Sequence, residues 1–124
     1  VLGRVRQNYS IDAQRIYLMG HSMGAIGTWR IASRHPALWA ALGPIAGFGD
    51  PDTAQQIAHI PQIIVHGDAD RTVAVSGSVN MFNALRALSA DVQFIKVPGG
   101  GHSDIAPANM AAIFNFFDQH KKND

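Results

Sequence analysis

Ser22, Asp70 and His102, in that order along the chain, are the residue types that acyl transfer through a serine nucleophile requires. A serine hydroxyl attacks a carbonyl only when a base takes its proton. An imidazole serves as that base when a third group fixes its tautomer and steadies its positive charge. Ser22 stands in Gly20-His21-Ser22-Met23-Gly24, which fits G-x-S-x-G, the pattern in which a serine occupies a strained turn between a strand and a helix. Gly20 and Gly24 lack a Cβ, so the chain can reverse sharply and the helix can approach the sheet while Ser22 projects outward. Behind the hydroxyl, the helix N-terminus offers free N–H groups and the positive end of its dipole. This places the Met23 N–H to donate to the oxyanion of a tetrahedral intermediate. The competing reading of these five residues is a glycine-rich structural turn with Ser22 as a helix N-cap. The apolar strand before and the helical pattern after favour the nucleophile.

Asp70 lies in His66-Gly67-Asp68-Ala69-Asp70-Arg71-Thr72-Val73, a loop leaving the C-terminal end of a buried strand, where parallel sheets carry their functional loops. Asp68 competes for the role of acid. A tight turn after Gly67 would employ Asp68 in an Asx-type hydrogen bond, so Asp70 is the expected acid. His102 follows Gly99-Gly100-Gly101, a flexible loop that can lay the imidazole over Ser22 from the same edge of the sheet. Of the remaining histidines, His35, His59 and His120 fall at helix or loop ends and read as surface residues, His66 ends a strand, and His21 is expected to line the turn. No histidines show paired ligand spacing for a metal, and the chemistry calls for no metal and no cofactor.

The elements that must carry these residues alternate short apolar runs with longer helical patterns, the signature of βαβ units around a parallel sheet. Ile16 to Met19 reads as a strand covered on both faces and closed by Gly20. A helix follows from Met23 to about Arg34, with Ile26, Trp29 and Ala32 on one face and Pro36 preventing continuation. Leu42 to Ile45 is a weaker strand candidate, interrupted by Gly43 and Pro44. Gln62 to His66 is a firm strand, followed by a helix near Ser78 to Leu88 whose apolar face is Met81, Leu85 and Leu88. Val92 to Val97 forms a final strand, and Pro107 to His120 a last helix with Met110, Ile113, Phe114 and Phe117 inward. The expected total is about four strands and four helices.

A chain of 124 residues with 47% hydrophobic residues suits one compact domain. Charged residues are only 15% of the chain, below the roughly 25% usual in soluble domains, which points to surface covered by a partner. The net charge of +1 comes with no basic run beyond Lys121 and Lys122, so nucleic acid is not an expected partner. The chain has no cysteine, which removes disulfide, thiolate and cysteine–zinc chemistry but leaves the compartment open. Val1 to Tyr9 mixes Arg4, Arg6 and Gln7 among apolar residues, unlike a signal peptide, and no segment approaches membrane-spanning length. The chain as given reads as soluble, and its start without methionine, close to a buried strand, suggests a piece of something longer.

With these residues assembled, the chain resembles the C-terminal half of α/β-hydrolase esterases and predicted peptidases related to prolyl oligopeptidases, polyester depolymerases and feruloyl esterases. The similar stretches are Ile11 to Met19 before the elbow, Gly27-Thr28-Trp29, His35-Pro36, Pro44-Ile45-Ala46-Gly47, the acid loop and Gly101-His102. In such families the acid loop reads HG-x-x-D-x-x-V, which His66, Gly67, Asp70 and Val73 match, supporting Asp70 over Asp68. The resemblance implies an α/β class fold: a truncated α/β-hydrolase of about four mostly parallel strands flanked by helices, beginning at the elbow strand. It also implies that the loop supplying a second oxyanion donor, an HGGG-like segment after an early strand, is absent. One lost donor typically slows such chemistry about a hundred- to a thousandfold. Ile16 to Met19 would then be a hydrophobic edge strand open to pairing, so a homodimer or higher oligomer through that edge is expected.

The leading expectation is a serine carboxylic ester hydrolase acting on small acyl esters through an acyl-enzyme, with Ser22 as nucleophile, His102 as base and Asp70 as acid. Phe48, Met23 and Val73 are candidate walls of a small apolar acyl pocket, with core packing as their other reading. Two alternatives stand beside it: a peptidase following the same pathway, and a non-catalytic fragment that acts as an interaction module through its open edge.

Overall fold

The computed structural model describes residues 12–122, in which strands and helices alternate. The elements are β1 (Tyr17–His21), α1 (Met23–Arg34), β2 (Ala41–Ile45), a 3-10 turn (Pro51–Thr53) running into the short α2 (Ala54–Ile57), β3 (Gln62–Gly67), α3 (Ser76–Ala87), β4 (Val92–Val97) and α4 (Ile105–Asp118). The four strands form one sheet in the order β1-β2-β3-β4, and every pairing is parallel. The stretch Val1 to Tyr9 and Ile11, read above from sequence, lie outside the described residues.

The register is what positions the site. His21 pairs with Ile45, Ile45 with Val65, and Gly67 with Val97, so β1 and β2 end together and β3 and β4 run two residues further at the same edge of the sheet. The loops after β1, β3 and β4 therefore leave from one end of the sheet, and these are the loops that carry Ser22, Asp70 and His102.

The sheet is covered on both faces, as an all-parallel sheet must be. On one face Trp29 and Ala32 of α1, Ala54 and Ile57 of α2, and Met81 and Leu85 of α3 pack on Leu42 and Ile64. On the other, Ile105, Ile113, Phe116 and Phe117 of α4 pack on Ala41, Ile45, Ile63 and Val65. All six residues of β3 are buried, which explains its central apolar run Ile63-Ile64-Val65. The one long polar side chain inside that strand, Gln62, is satisfied: it accepts from Trp29 Nε1 at 2.9 Å and donates to the Ile57 carbonyl at 3.3 Å.

Four local expectations need correction. The first strand runs Tyr17–His21, past Gly20, because Gly20 and His21 still pair with Pro44 and Ile45. The weak candidate around Pro44 is a fully buried inner strand. Leu42 and Ala46 donate to the carbonyls of Pro61 and Val65, and Pro44 between them, lacking an N–H, simply omits a rung. The last helix starts two residues early, at Ile105, with Pro107 third in the helix, where an N–H has no intrahelical acceptor to lose. Two apolar side chains placed inward by periodicity face outward: Phe114 is 52% exposed and Leu88 is 40% exposed, while Phe116 takes the inward position. Leu88 lies just past the end of α3, where helical phase no longer governs its direction.

Candidate active site

Ser22 is the residue between β1 and α1, with φ 60° and ψ −114°. A side chain at positive φ costs about 1–3 kcal/mol and persists only where surrounding structure enforces it. The enforcement is visible: the Ser22 N–H donates to the Ile45 carbonyl at 2.8 Å, and the Ser22 carbonyl accepts from the N–H groups of Ala25 and Ile26. Gly20 makes the sharp return possible, since a Cβ there would fall 2.3 Å from the Gly24 carbonyl oxygen. Gly24 has a different role from the one expected of it, because a Cβ on Gly24 would meet nothing within 4 Å. Ser22 makes no side-chain capping hydrogen bond to α1, which removes the N-cap reading. Its Oγ instead lies 2.9 Å from His102 Nε2. Met23 and Gly24 open α1, where N–H groups have no intrahelical acceptor.

The second and third residues arrive on loops packed backbone against backbone. Gly67 is the contact point: a Cβ there would lie 2.2 Å from the Gly100 carbonyl oxygen. Across this approach the Asp68 N–H donates to the Val97 carbonyl, the Ala69 N–H to the Gly100 carbonyl, and the Gly99 N–H to Asp68 Oδ1 at 2.7 Å. Asp68 therefore ties the two loops together rather than forming the Asx turn expected of it. Asp70 forms that turn, its Oδ1 accepting the N–H groups of Thr72 at 2.8 Å and Val73 at 2.9 Å. Its other oxygen, Oδ2, lies 2.7 Å from His102 Nδ1, with the Asp70 side chain 0% exposed and that of His102 17% exposed. Burial by itself raises the Asp70 carboxyl. The hydrogen bonds from His102, Val73 and Thr72, with the charge His102 can carry, outweigh burial and hold the carboxyl below the ordinary carboxylate value. An ionised Asp70 accepts the His102 Nδ1–H, which leaves Nε2 unprotonated and facing the Ser22 hydroxyl. That arrangement can draw a proton from Ser22 and hold the resulting imidazolium.

A family model described as PETase, PET hydrolase-like, matches residues 4–118. The chain belongs to the PET hydrolase-like family. It is 34% identical over 92 residues to "Cutinase est1" of Thermobifida alba, a match covering 74% of this chain and 30% of that protein. It is 28% identical over 123 residues to "Bis(hydroxyethyl) terephthalate hydrolase" of Streptomyces coelicolor, covering 94% of this chain and 39% of that protein. Among solved structures, "Crystal Structure of a Thermostable Esterase" superposes with a TM-score of 0.91 at 28% identity, over 98% of this chain and 35% of that one. The fold is that of the α/β-hydrolases, and the chain spans about a third of the length of these relatives.

Other residues of this PET hydrolase-like chain sit near the three without being among them. His21 lines the turn as expected and does more: its Nε2 hydrogen-bonds the His102 carbonyl at 2.6 Å, and the two rings lie 5.0 Å apart. Asp104 shapes the same loop by accepting the Gly101 N–H at 3.0 Å. Val73 contributes its backbone to the acid loop. The Met23 side chain is 83% exposed beside Ser22. Phe48 is placed differently from the expected pocket wall: it lines a cleft of about 400 Å³ along α1 with Trp29, Arg30 and Asp50, and none of Ser22, Asp70 or His102 lines that cleft. His35 and His59 are exposed as expected. His120 is not an ordinary surface residue, since its ring bonds the Phe116 carbonyl at 2.7 Å and Asp91 Oδ2 at 2.9 Å, at the opposite end of the sheet. His66, read only as the end of a strand, is fully buried beneath the acid loop. Among the described residues no three His, Cys, Asp or Glu gather as a metal site, and no helix is long and apolar enough to cross a membrane.

Proposed function

We propose that this chain is the triad-bearing part of a serine carboxylic ester hydrolase acting on small acyl esters. The single observation that carries this reading is the continuous contact from Ser22 Oγ to His102 Nε2 at 2.9 Å and from His102 Nδ1 to Asp70 Oδ2 at 2.7 Å. Names of relatives, a cutinase and a bis(hydroxyethyl) terephthalate hydrolase, support the ester class. In the proposed cycle His102 Nε2 takes the Ser22 proton as Oγ attacks the ester carbonyl, and the Met23 N–H donates to the developing oxyanion. His102 then protonates the leaving alcohol, and an acyl-Ser22 ester remains. Water, deprotonated by the same Nε2, attacks that ester and releases the acid, restoring Ser22. No cofactor or metal enters any step.

Hydrolysis of p-nitrophenyl butyrate and of bis(hydroxyethyl) terephthalate by the purified chain and by Ser22→Ala tests the reading. Turnover that vanishes with Ser22→Ala is expected, and turnover equal to the Ser22→Ala background would overturn it. We further propose that the free edge of β1 pairs with a second copy of the chain, because β1 borders only β2 among the described strands. Light scattering should then give the mass of a dimer or larger oligomer, and a monodisperse monomer would refute this.

A further inference from the structure

His66 is the last but one residue of β3, and its side chain is 0% exposed. Both ring nitrogens are engaged. Nε2 lies 2.8 Å from the Val73 carbonyl and 3.3 Å from Asp70 Oδ2, while Nδ1 lies 2.7 Å from Ser78 Oγ on α3. A carbonyl and a carboxylate only accept, so the Nε2 facing them must carry a proton. The Ser78 hydroxyl has one proton to give and two acceptors in reach, His66 Nδ1 at 2.7 Å and the Gly47 carbonyl at 3.4 Å. With the hydroxyl proton on the shorter contact, Nδ1 accepts and the ring keeps its proton on Nε2 alone.

We propose that His66 is a positioning residue for the acid of the site: its Nε2–H ties the 70–73 loop to β3, with Ser78 fixing its tautomer, and so sets the Asp70 carboxylate against His102. The Asp70 carboxylate is fixed within its loop by the Thr72 and Val73 N–H groups. The start of the loop is held by the Asp68 and Ala69 N–H groups on the carbonyls of Val97 and Gly100, and neither of these bonds reaches its 72–73 end. The bond from His66 to the Val73 carbonyl holds that end to β3, and the same N–H points its positive edge toward Oδ2, the oxygen that His102 uses. The chain of contacts runs from Ser78 through His66, the acid loop and His102 to Ser22. Because Asp70 serving His102 is part of the proposed function, His66's role rests on that reading.

The test uses nitrogen-15 imidazole spectra at neutral pH and the rate at which a fluorophosphonate modifies Ser22, for the wild type, His66→Gln and His66→Leu. Gln carries an amide N–H as many bonds from the backbone as Nε2, so it can still donate to Val73, whereas Leu cannot. In the wild type, His66 should show a proton on Nε2 and none on Nδ1. His66→Gln should keep the low-field His102 Nδ1–H resonance and a labelling rate within about fivefold, while His66→Leu should lose the resonance and slow by about a hundredfold. A proton on Nδ1, alone or with one on Nε2, would overturn the proposal, as would identical behaviour of Gln and Leu. Should His66→Leu fail to fold, Ser78→Ala takes its place, with loss of the single His66 tautomer expected and an unchanged tautomer contradicting. A wild type that the probe does not modify would refute Ser22 as nucleophile, while the His66 tautomer and the His102 resonance would still decide the positioning role.

Discussion

Replacing Asp70 with Asn changes one atom and, on this geometry, reverses the proton on His102. The Oδ1 position receives two N–H donors, from Thr72 at 2.8 Å and Val73 at 2.9 Å. The amide oxygen of the new side chain must therefore take that place, since an NH2 group there would face two donors. The amide NH2 is then left at the Oδ2 position, 2.7 Å from His102 Nδ1, where it donates. Nδ1 becomes the acceptor, the proton moves to Nε2, and Nε2 now points an N–H at Ser22 Oγ instead of a lone pair. The imidazole can no longer act as base without an uphill tautomer change. Loss of the acid in a triad of this kind costs about 10⁴ in kcat, equivalent to about 5 kcal/mol at 1.36 kcal/mol per decade. The assay is ester turnover by Asp70→Asn beside Asp68→Asn, with circular dichroism to show that both fold. Asp68→Asn should retain activity within about tenfold, because Asp68 only bridges to Gly99. A ten-thousandfold loss in Asp68→Asn with near-normal Asp70→Asn would refute the reasoning.

Further outcomes follow from the same contacts. Ser22→Gly should be more stable than Ser22→Ala by about 1 kcal/mol, or about 4 °C in Tm, because both lose the hydroxyl but only Gly adopts φ 60° freely; equal melting temperatures would contradict this. Gly67→Ala should destabilise by about 2–3 kcal/mol in denaturant unfolding, since its Cβ meets the Gly100 backbone, whereas Gly24→Ala should be neutral or slightly stabilising; equal effects would show that the loops do not pack as described. Asp70 is held below its ordinary value in the fold, so its contribution to stability is complete above the unfolded value of about 3.9 and is lost as pH falls through the lower folded value. The stability difference between wild type and Asp70→Asn should therefore be constant above about pH 5 and shrink in acid; a difference that widens in acid would reverse the sign.

Much of this arrangement was legible in the residues because local pattern and tertiary need coincide. The strand and helix around Gly20 to Gly24 follow from apolar runs and from Pro36, and α1 ends at Arg34 as its periodicity requires. The resemblance of His66, Gly67, Asp70 and Val73 to the family's acid loop favours Asp70, and Asp70 is the carboxylate that reaches His102. What escaped was decided by contacts between distant segments. Pro44 weakens a strand by propensity, yet burial on both faces holds β2 in place despite the missing N–H. Ile113 and Phe117 lie on two overlapping stripes of α4, one with Phe114 and one with Phe116, and packing on the sheet buries the second and leaves Phe114 exposed. Nothing local shows that His66 will meet Val73, Asp70 and Ser78, since the partner on α3 is brought in only by packing on the sheet. The motif position of His66, immediately before Gly67 in the acid loop, was the one available signal.

The central claim is that Ser22 is a nucleophile activated by His102. Incubation of the purified chain with a fluorophosphonate, followed by intact mass measurement and peptide mapping, tests it most directly. The account predicts one phosphonyl group per chain, on Ser22, and none in His102→Ala over the same interval. A chain that stays unmodified, or one modified equally well without His102, would contradict it.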